Sequence, residues 1–363
     1  MSRLTRLYSD CGQSPWIDNL RRSWLSDGTL DELIELGVRG LTSNPSILAT
    51  AIGQDPEYRE QIEQLRGQTA ESAYWELVLS DIARAAKHLL PLHQRSNGTD
   101  GFVSVEVDPR LSQDPDGTLR SAKELAERLS LPNVMIKIPA TAACLPAITE
   151  AIASGISVNV TLVFGLNRYV EVMEAYQLGM RRLQVDSPEK LRTTHSVASI
   201  FVSRIDTLVD SLLDQLGAPS ELRGRSAVAL ARLSYAKFLD VFSDDSWREI
   251  EAVGGTIQRP LWASTSTKNP AYSDLLYVNE LIGPRTVNTM PDATLQSYLD
   301  HGTLAQTILE GSDLAAATIK SVEAAGVDFD AVFKQLEEEG LRSFESAHLN
   351  LLDQLAVEVG RGL

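Results

Sequence analysis

The sequence predicts an α/β fold: a (β/α)8 TIM barrel with additional helices. Short β-branched or apolar runs alternate with helical patterns from end to end, the strand-like runs number eight, and no glycine fingerprint follows the first of them. Strict β–α alternation argues for a parallel sheet with crossover helices, and eight repeats argue for closure. An open doubly wound sheet is the competing arrangement, but it usually carries fewer strands and often a glycine-rich turn after the first.

In chain order, the expected strands cover residues 14–20, 40–44, 102–108, 133–138, 156–164, 196–203, 259–265 and 285–290. Between them lie helices such as 29–36 behind the Asp27-Gly28 turn, 118–129 entered from Pro115-Asp116-Gly117, 145–153, and 226–242. Residues 55–91 read as a helical insertion between the second and third strands. Residues 291–363 are helical in pattern throughout, with a charged run at Glu337-Glu338-Glu339. No Pro/Gly/Ser-rich linker precedes this extension, so it is expected to pack on the barrel, making 1–363 a single domain.

Composition narrows the function. At 43% hydrophobic and 23% charged, the 363 residues have ample material for a packed core, which excludes disordered and collagen-like classes. The net charge of −16 repels phosphate backbones and anionic lipid, so neither nucleic acid nor a membrane surface is an expected partner. Two cysteines, Cys11 and Cys144, give no disulfide framework and no metal-ligand spacing, and the five histidines are scattered. No metal site is expected. Residues 1–10 lack a signal-peptide pattern and no apolar run approaches ~20 residues. A cytoplasmic location is the expectation.

Parallel strands covered on both faces should read as continuous apolar runs. Several here alternate instead. Val103, Val105 and Val107 oppose Ser104, Glu106 and Asp108, while Val158, Val160 and Leu162 oppose Ser157, Asn159 and Thr161. The first strand ends in Asp18-Asn19, the second in Thr42-Ser43-Asn44, and the fourth carries Lys137 among apolar neighbours. With the apolar faces against helices, Glu106, Lys137, Asn159 and Thr161 converge inside the barrel, near the strand ends where such folds place their sites. A half-solvated antiparallel sheet would also alternate, but not in five strands separated by helices.

Charges buried in that position are costly unless paired. A lysine in a desolvated site becomes a usable amine nucleophile that forms Schiff bases with carbonyls. Glu106 and Asp18, on separate strands, can divide the acid and base roles, or all three can form a purely structural network.

The chain resembles the transaldolases, Schiff-base enzymes on an α/β barrel, along nearly its whole length. The resemblance is carried by Trp16-Ile17-Asp18-Asn19-Leu20, Gly40-Leu41-Thr42-Ser43-Asn44-Pro45-Ser46, Val105-Glu106-Val107-Asp108-Pro109-Arg110-Leu111-Ser112, Met135-Ile136-Lys137-Ile138-Pro139-Ala140-Thr141, Asn159-Val160-Thr161-Leu162 and Ser199-Ile200-Phe201-Val202-Ser203-Arg204. It implies that Lys137 forms the imine with a ketose phosphate, that Asp18 takes the hydroxyl proton when the carbon–carbon bond breaks, and that Glu106 with Thr161 manages a proton-shuttling water. Asn44, Asn159 and Ser199 would hold the retained dihydroxyacetone unit. The implied exchange converts sedoheptulose 7-phosphate and glyceraldehyde 3-phosphate to erythrose 4-phosphate and fructose 6-phosphate, a step of the non-oxidative pentose phosphate pathway. No metal or organic cofactor is implied, because the protonated imine is itself the electron sink. The partners would be sugar phosphates, and the assembly a monomer or homodimer.

The phosphate calls for cations, and Arg204 after the sixth strand, with Ser264 and Lys268 after the seventh, are the candidates. Many relatives carry an Arg two residues after the serine of strand seven; Ser266 stands there in this chain, and Lys268 is the nearest substitute. Arg204 could instead pair with Asp206, and Lys268 could be a solvated loop charge. Two other functions stay open: a lysine-imine aldolase that cleaves without transfer, and a non-catalytic metabolite-binding barrel.

Overall fold

The computed structural model describes residues 1–360, and its eight parallel strands close into a barrel in sequential order. They are β1 (Gln13–Ile17), β2 (Gly40–Thr42), β3 (Phe102–Glu106), β4 (Val134–Pro139), β5 (Val158–Val163), β6 (Ser196–Phe201), β7 (Gln258–Ala263) and β8 (Thr286–Met290). Each strand pairs with its successor, and β8 returns to β1 from Gln13↔Thr286 to Ile17↔Met290. Strand number and closure are as the alternation predicts. Trp16 fills part of the interior, and Gly40 makes room for it: a Cβ at residue 40 would lie 2.4 Å from the indole ring.

Several strands stop short of their expected carboxyl ends. Asp18, Asn44, Asp108 and Ser264 lie on turns beyond the ladders, and Arg204 stands in the helix Ser203–Gln215. Local side-chain chemistry is the reason. Asn44 Oδ1 accepts from the Ile47 amide at 3.0 Å and caps the helix Pro45–Gln54, and Asp108 Oδ1 accepts from the Arg110 amide at 2.9 Å. Such residues draw backbone donors away from the sheet. In β5 the regular alternation also fails: the register with β6 shifts between Val160 and Val163, and Leu162 adopts φ +58°.

The expected insertion at 55–91 contains the helices Arg59–Gln64 and Ala70–Arg95. The second does not stop at Pro91 but runs through it to Arg95. So near the helix end the proline forfeits a single backbone bond, and Leu89 and Leu92 on either side stay buried. Arg22 Nε donates to Asp81 Oδ1 at 2.8 Å, with both side chains almost fully buried, which tethers this helix to the chain that follows Asp18. The 31-residue helix Phe329–Val359 packs on Pro45–Gln54, Ala70–Arg95 and Ser203–Gln215, and reaches the end of β5. Among the described residues no helix is long and apolar enough to cross a membrane.

Candidate active site

Three hydrogen bonds each skip a strand, and so can close only through the barrel interior. Asn159 Nδ2 on β5 donates to Ser104 Oγ on β3 at 3.0 Å, passing over β4. Lys137 Nζ on β4 donates to the Ser43 carbonyl just after β2 at 3.2 Å, passing over β3. The hydroxyls of Thr42 on β2 and Thr289 on β8 lie 2.6 Å apart across β1. The polar faces read from the sequence therefore point inward.

Lys137 is 4% exposed, and its Nζ lies 3.3 Å from Glu106 Oε2. The contact is an ion pair without hydrogen-bond geometry at that oxygen. Burial pushes the Glu106 carboxyl above the ordinary carboxylate range, opposed by Lys137 and reinforced by the charge of Asp18. Thr161 Oγ1 is fully buried with no hydrogen-bond partner among the described residues, leaving its hydroxyl available in the same cavity as Lys137.

Asp18 is partly buried, and its Oδ1 accepts from Thr42 Oγ1 at 2.6 Å. Desolvation raises its pKa, while the Lys137 charge and the Thr42 hydrogen bond pull it back down. Two carboxyls thus stand around one amine, Glu106 from β3 and Asp18 from the turn after β1, each less acidic than in water, the arrangement that separates acid from base duties.

The cavity holding these groups has a volume of about 150 Å³ and lies at the carboxyl ends of the strands. Asp18, Asn44, Lys137, Thr161 and Ser199 line it. Glu106 and Asn159 stand behind the wall, touching it through Lys137 and Ser199: Ser199 Oγ donates to Asn159 Oδ1 at 2.7 Å. A broader groove of about 820 Å³ shares Asp18, Asn44 and Pro291 with the cavity and leads out toward Arg21 and Asp292.

Arg204, Ser264 and Lys268 line the cavity on the β6–β7 side. Arg204 does not pair with Asp206, whose carboxylate instead accepts from the Ala227 amide at 2.8 Å and from Tyr277 Oη at 3.0 Å. Among the described residues no carboxylate lies within salt-bridge reach of Arg204; its guanidinium is set 5.4 Å from the Phe201 ring centroid, and desolvation lowers its pKa. Ser264, at φ +55°, shares a hydrogen bond of 2.9 Å with Ser203. Lys268 is exposed and donates to Ser266 Oγ at 2.6 Å, so the serine at the anomalous position holds the lysine toward the cavity.

Sequence reasoning did not single out the backbone carbonyl of Ser43, the Thr289 hydroxyl or Ser104 as members of this network. Alternation flags Ser104, but a carbonyl acceptor and a partner from β8 emerge only on closure.

The sequence model of the Transaldolase/Fructose-6-phosphate aldolase family matches residues 15–355. Transaldolase 1 of Streptomyces avermitilis is 47% identical over 369 aligned residues, spanning 100% of this chain and 97% of that protein. Transaldolase of Mycobacterium tuberculosis (strain ATCC 25618 / H37Rv) is 45% identical over 353, spanning 95% and 94%.

Proposed function

The chain belongs to the Transaldolase/Fructose-6-phosphate aldolase family, and from that premise we propose that it is a transaldolase whose imine-forming amine is Lys137. The observation that carries the reading is the buried Lys137 amine, 3.3 Å from Glu106 and sharing a cavity with Asp18.

Glu106, made more basic by burial, takes a proton from Lys137 so that the free amine attacks the ketose carbonyl carbon. The carbinolamine loses water, with Glu106 and the Thr161 hydroxyl exchanging protons with that water. Asp18 then takes the proton of the hydroxyl on the fourth carbon. The bond between the third and fourth carbons breaks, its electrons move into the protonated imine, and an aldose phosphate departs. The three-carbon unit stays as an enamine on Lys137. Attack on a second aldose phosphate, with Asp18 returning its proton, builds the new ketose; hydrolysis frees it. Ser199, oriented by Asn159, and Asn44 hold the hydroxyls of the retained unit. Arg204, with Ser264 and Lys268, receives the phosphate, which suits cations that have no carboxylate partner among the described residues.

The same residues suit direct cleavage of fructose 6-phosphate, which the family description also names. A coupled assay separates the two: erythrose 4-phosphate formed from sedoheptulose 7-phosphate and glyceraldehyde 3-phosphate supports transfer, and free dihydroxyacetone as the main product from fructose 6-phosphate supports the aldolase. In this reading the chain is a single cytoplasmic barrel unit, working as a monomer or homodimer on sugar phosphates, with no role for nucleic acid or membrane.

A further inference from the structure

A transferase that carries its fragment as an enamine faces a competing reaction. If the enamine carbon takes a proton, for instance from the protonated Asp18, the resulting iminium is open to water. Water adds to its carbon, the carbon–nitrogen bond breaks, Lys137 leaves as the amine, and dihydroxyacetone is released without transfer. Whatever denies water a path to that nitrogen favours the second aldehyde.

Among the described residues, only one side chain lining the catalytic cavity comes from the C-terminal extension's last helix. Phe344 is 4% exposed, and its ring centroid lies 5.3 Å from Lys137 Nζ. It belongs to a stripe at four-residue spacing, Gly340, Phe344 and His348, that faces the barrel mouth. Gly340 lets the helix come down close on β5: a Cβ there would lie 2.8 Å from Leu162 Cδ2 and 3.5 Å from Arg204 Nη1. His348 is 1% exposed, with Nε2 3.9 Å from Asp108 Oδ1 and its ring edge-on to Tyr74 at 4.7 Å between centroids. The helix is thus seated at both ends of the stripe, over the end of β5 and over the turn after β3. Phe344 hangs between these seats, above the amine.

We propose that Phe344 is a specificity-determining residue: its ring roofs the Lys137 nitrogen against water, so that the bound three-carbon unit is transferred rather than hydrolysed. The proposal rests on the Lys137 imine reading. Sequence alone offers no stronger signal for it than an aromatic in a helical pattern, because the contact spans more than 200 residues of chain.

The test measures free dihydroxyacetone released per sedoheptulose 7-phosphate formed, from fructose 6-phosphate and limiting erythrose 4-phosphate, in the parent protein and in Phe344→Ala and Phe344→Leu. Borohydride labelling of Lys137 is followed in parallel. The expected result is that Phe344→Ala raises the release-to-transfer ratio by roughly tenfold while Lys137 still labels, and that Phe344→Leu, which refills the space, stays within about threefold of the parent. An unchanged ratio in a labelling-competent alanine variant overturns the proposal, as does loss of labelling in that variant alone, which would make the ring a requirement for imine formation. No labelling in the parent overturns the imine reading itself. If the alanine variant does not fold, Phe344→Val serves in its place, with a smaller rise in the same ratio expected and no rise contradicting the roof.

Discussion

Glu106 and Lys137 are register partners on adjacent strands, and their charged ends meet 3.3 Å apart inside a closed barrel. Parallel pairing thereby fixes a carboxyl beside the buried lysine of β4, while β5 adds Thr161 and the turn after β1 adds Asp18 to the cavity around it.

Asp18 is the residue assigned to carbon–carbon cleavage, so Asp18→Ala should still trap substrate on Lys137 under borohydride while kcat falls by roughly 10²- to 10⁴-fold. Full turnover by this variant would remove the base role. Burial already lifts the Asp18 pKa, and Thr42 restrains the rise. A base works only when ionised, so activity is lost as pH falls through that pKa. Thr42→Val removes the restraint and should move the acid limb of the kcat/KM profile to higher pH; an unmoved limb would show that Asp18 does not set it.

Arg204 lines the cavity without a carboxylate partner among the described residues. A charge-assisted hydrogen bond contributes about 1.5–3 kcal/mol, so Arg204→Ala should raise KM for phosphorylated sugars by roughly 10- to 100-fold. Unphosphorylated analogues should change far less. Equal losses for both classes would place the phosphate elsewhere.

Away from the site, Asp206 is 1% exposed, and burial pushes its pKa up to about 7 despite bonds from the Ala227 amide and Tyr277. Since the folded value lies above the unfolded one, the native state binds this proton more tightly. Its contribution is full below about pH 4 and is lost as pH rises toward about 7. The loss is on the order of a few kcal/mol by linkage. Asp206→Asn cannot ionise and should flatten denaturation midpoints across that window. An unchanged slope would mean that Asp206 ionises at no cost in the folded protein.

Much of this arrangement is legible before any coordinates. Polar residues at every second position of strands that should be apolar mark Glu106, Lys137, Asn159 and Thr161, because only a lined interior tolerates them. Asp18 and Asn44 are legible as polar strand ends, although their capping and turn chemistry moves them off the ladders. The β5 irregularity at Leu162 is not legible, since it depends on β6 and the overlying helix rather than on local propensity. Nor is the seat of Phe344, which is set by packing between segments far apart in sequence.

The most direct test of the whole account is to reduce the protein with borohydride in the presence of fructose 6-phosphate and map the labelled residue by mass spectrometry. A single three-carbon adduct on Lys137, absent from Lys137→Met, is the predicted result. An adduct on another lysine, or normal turnover by Lys137→Met, would contradict it.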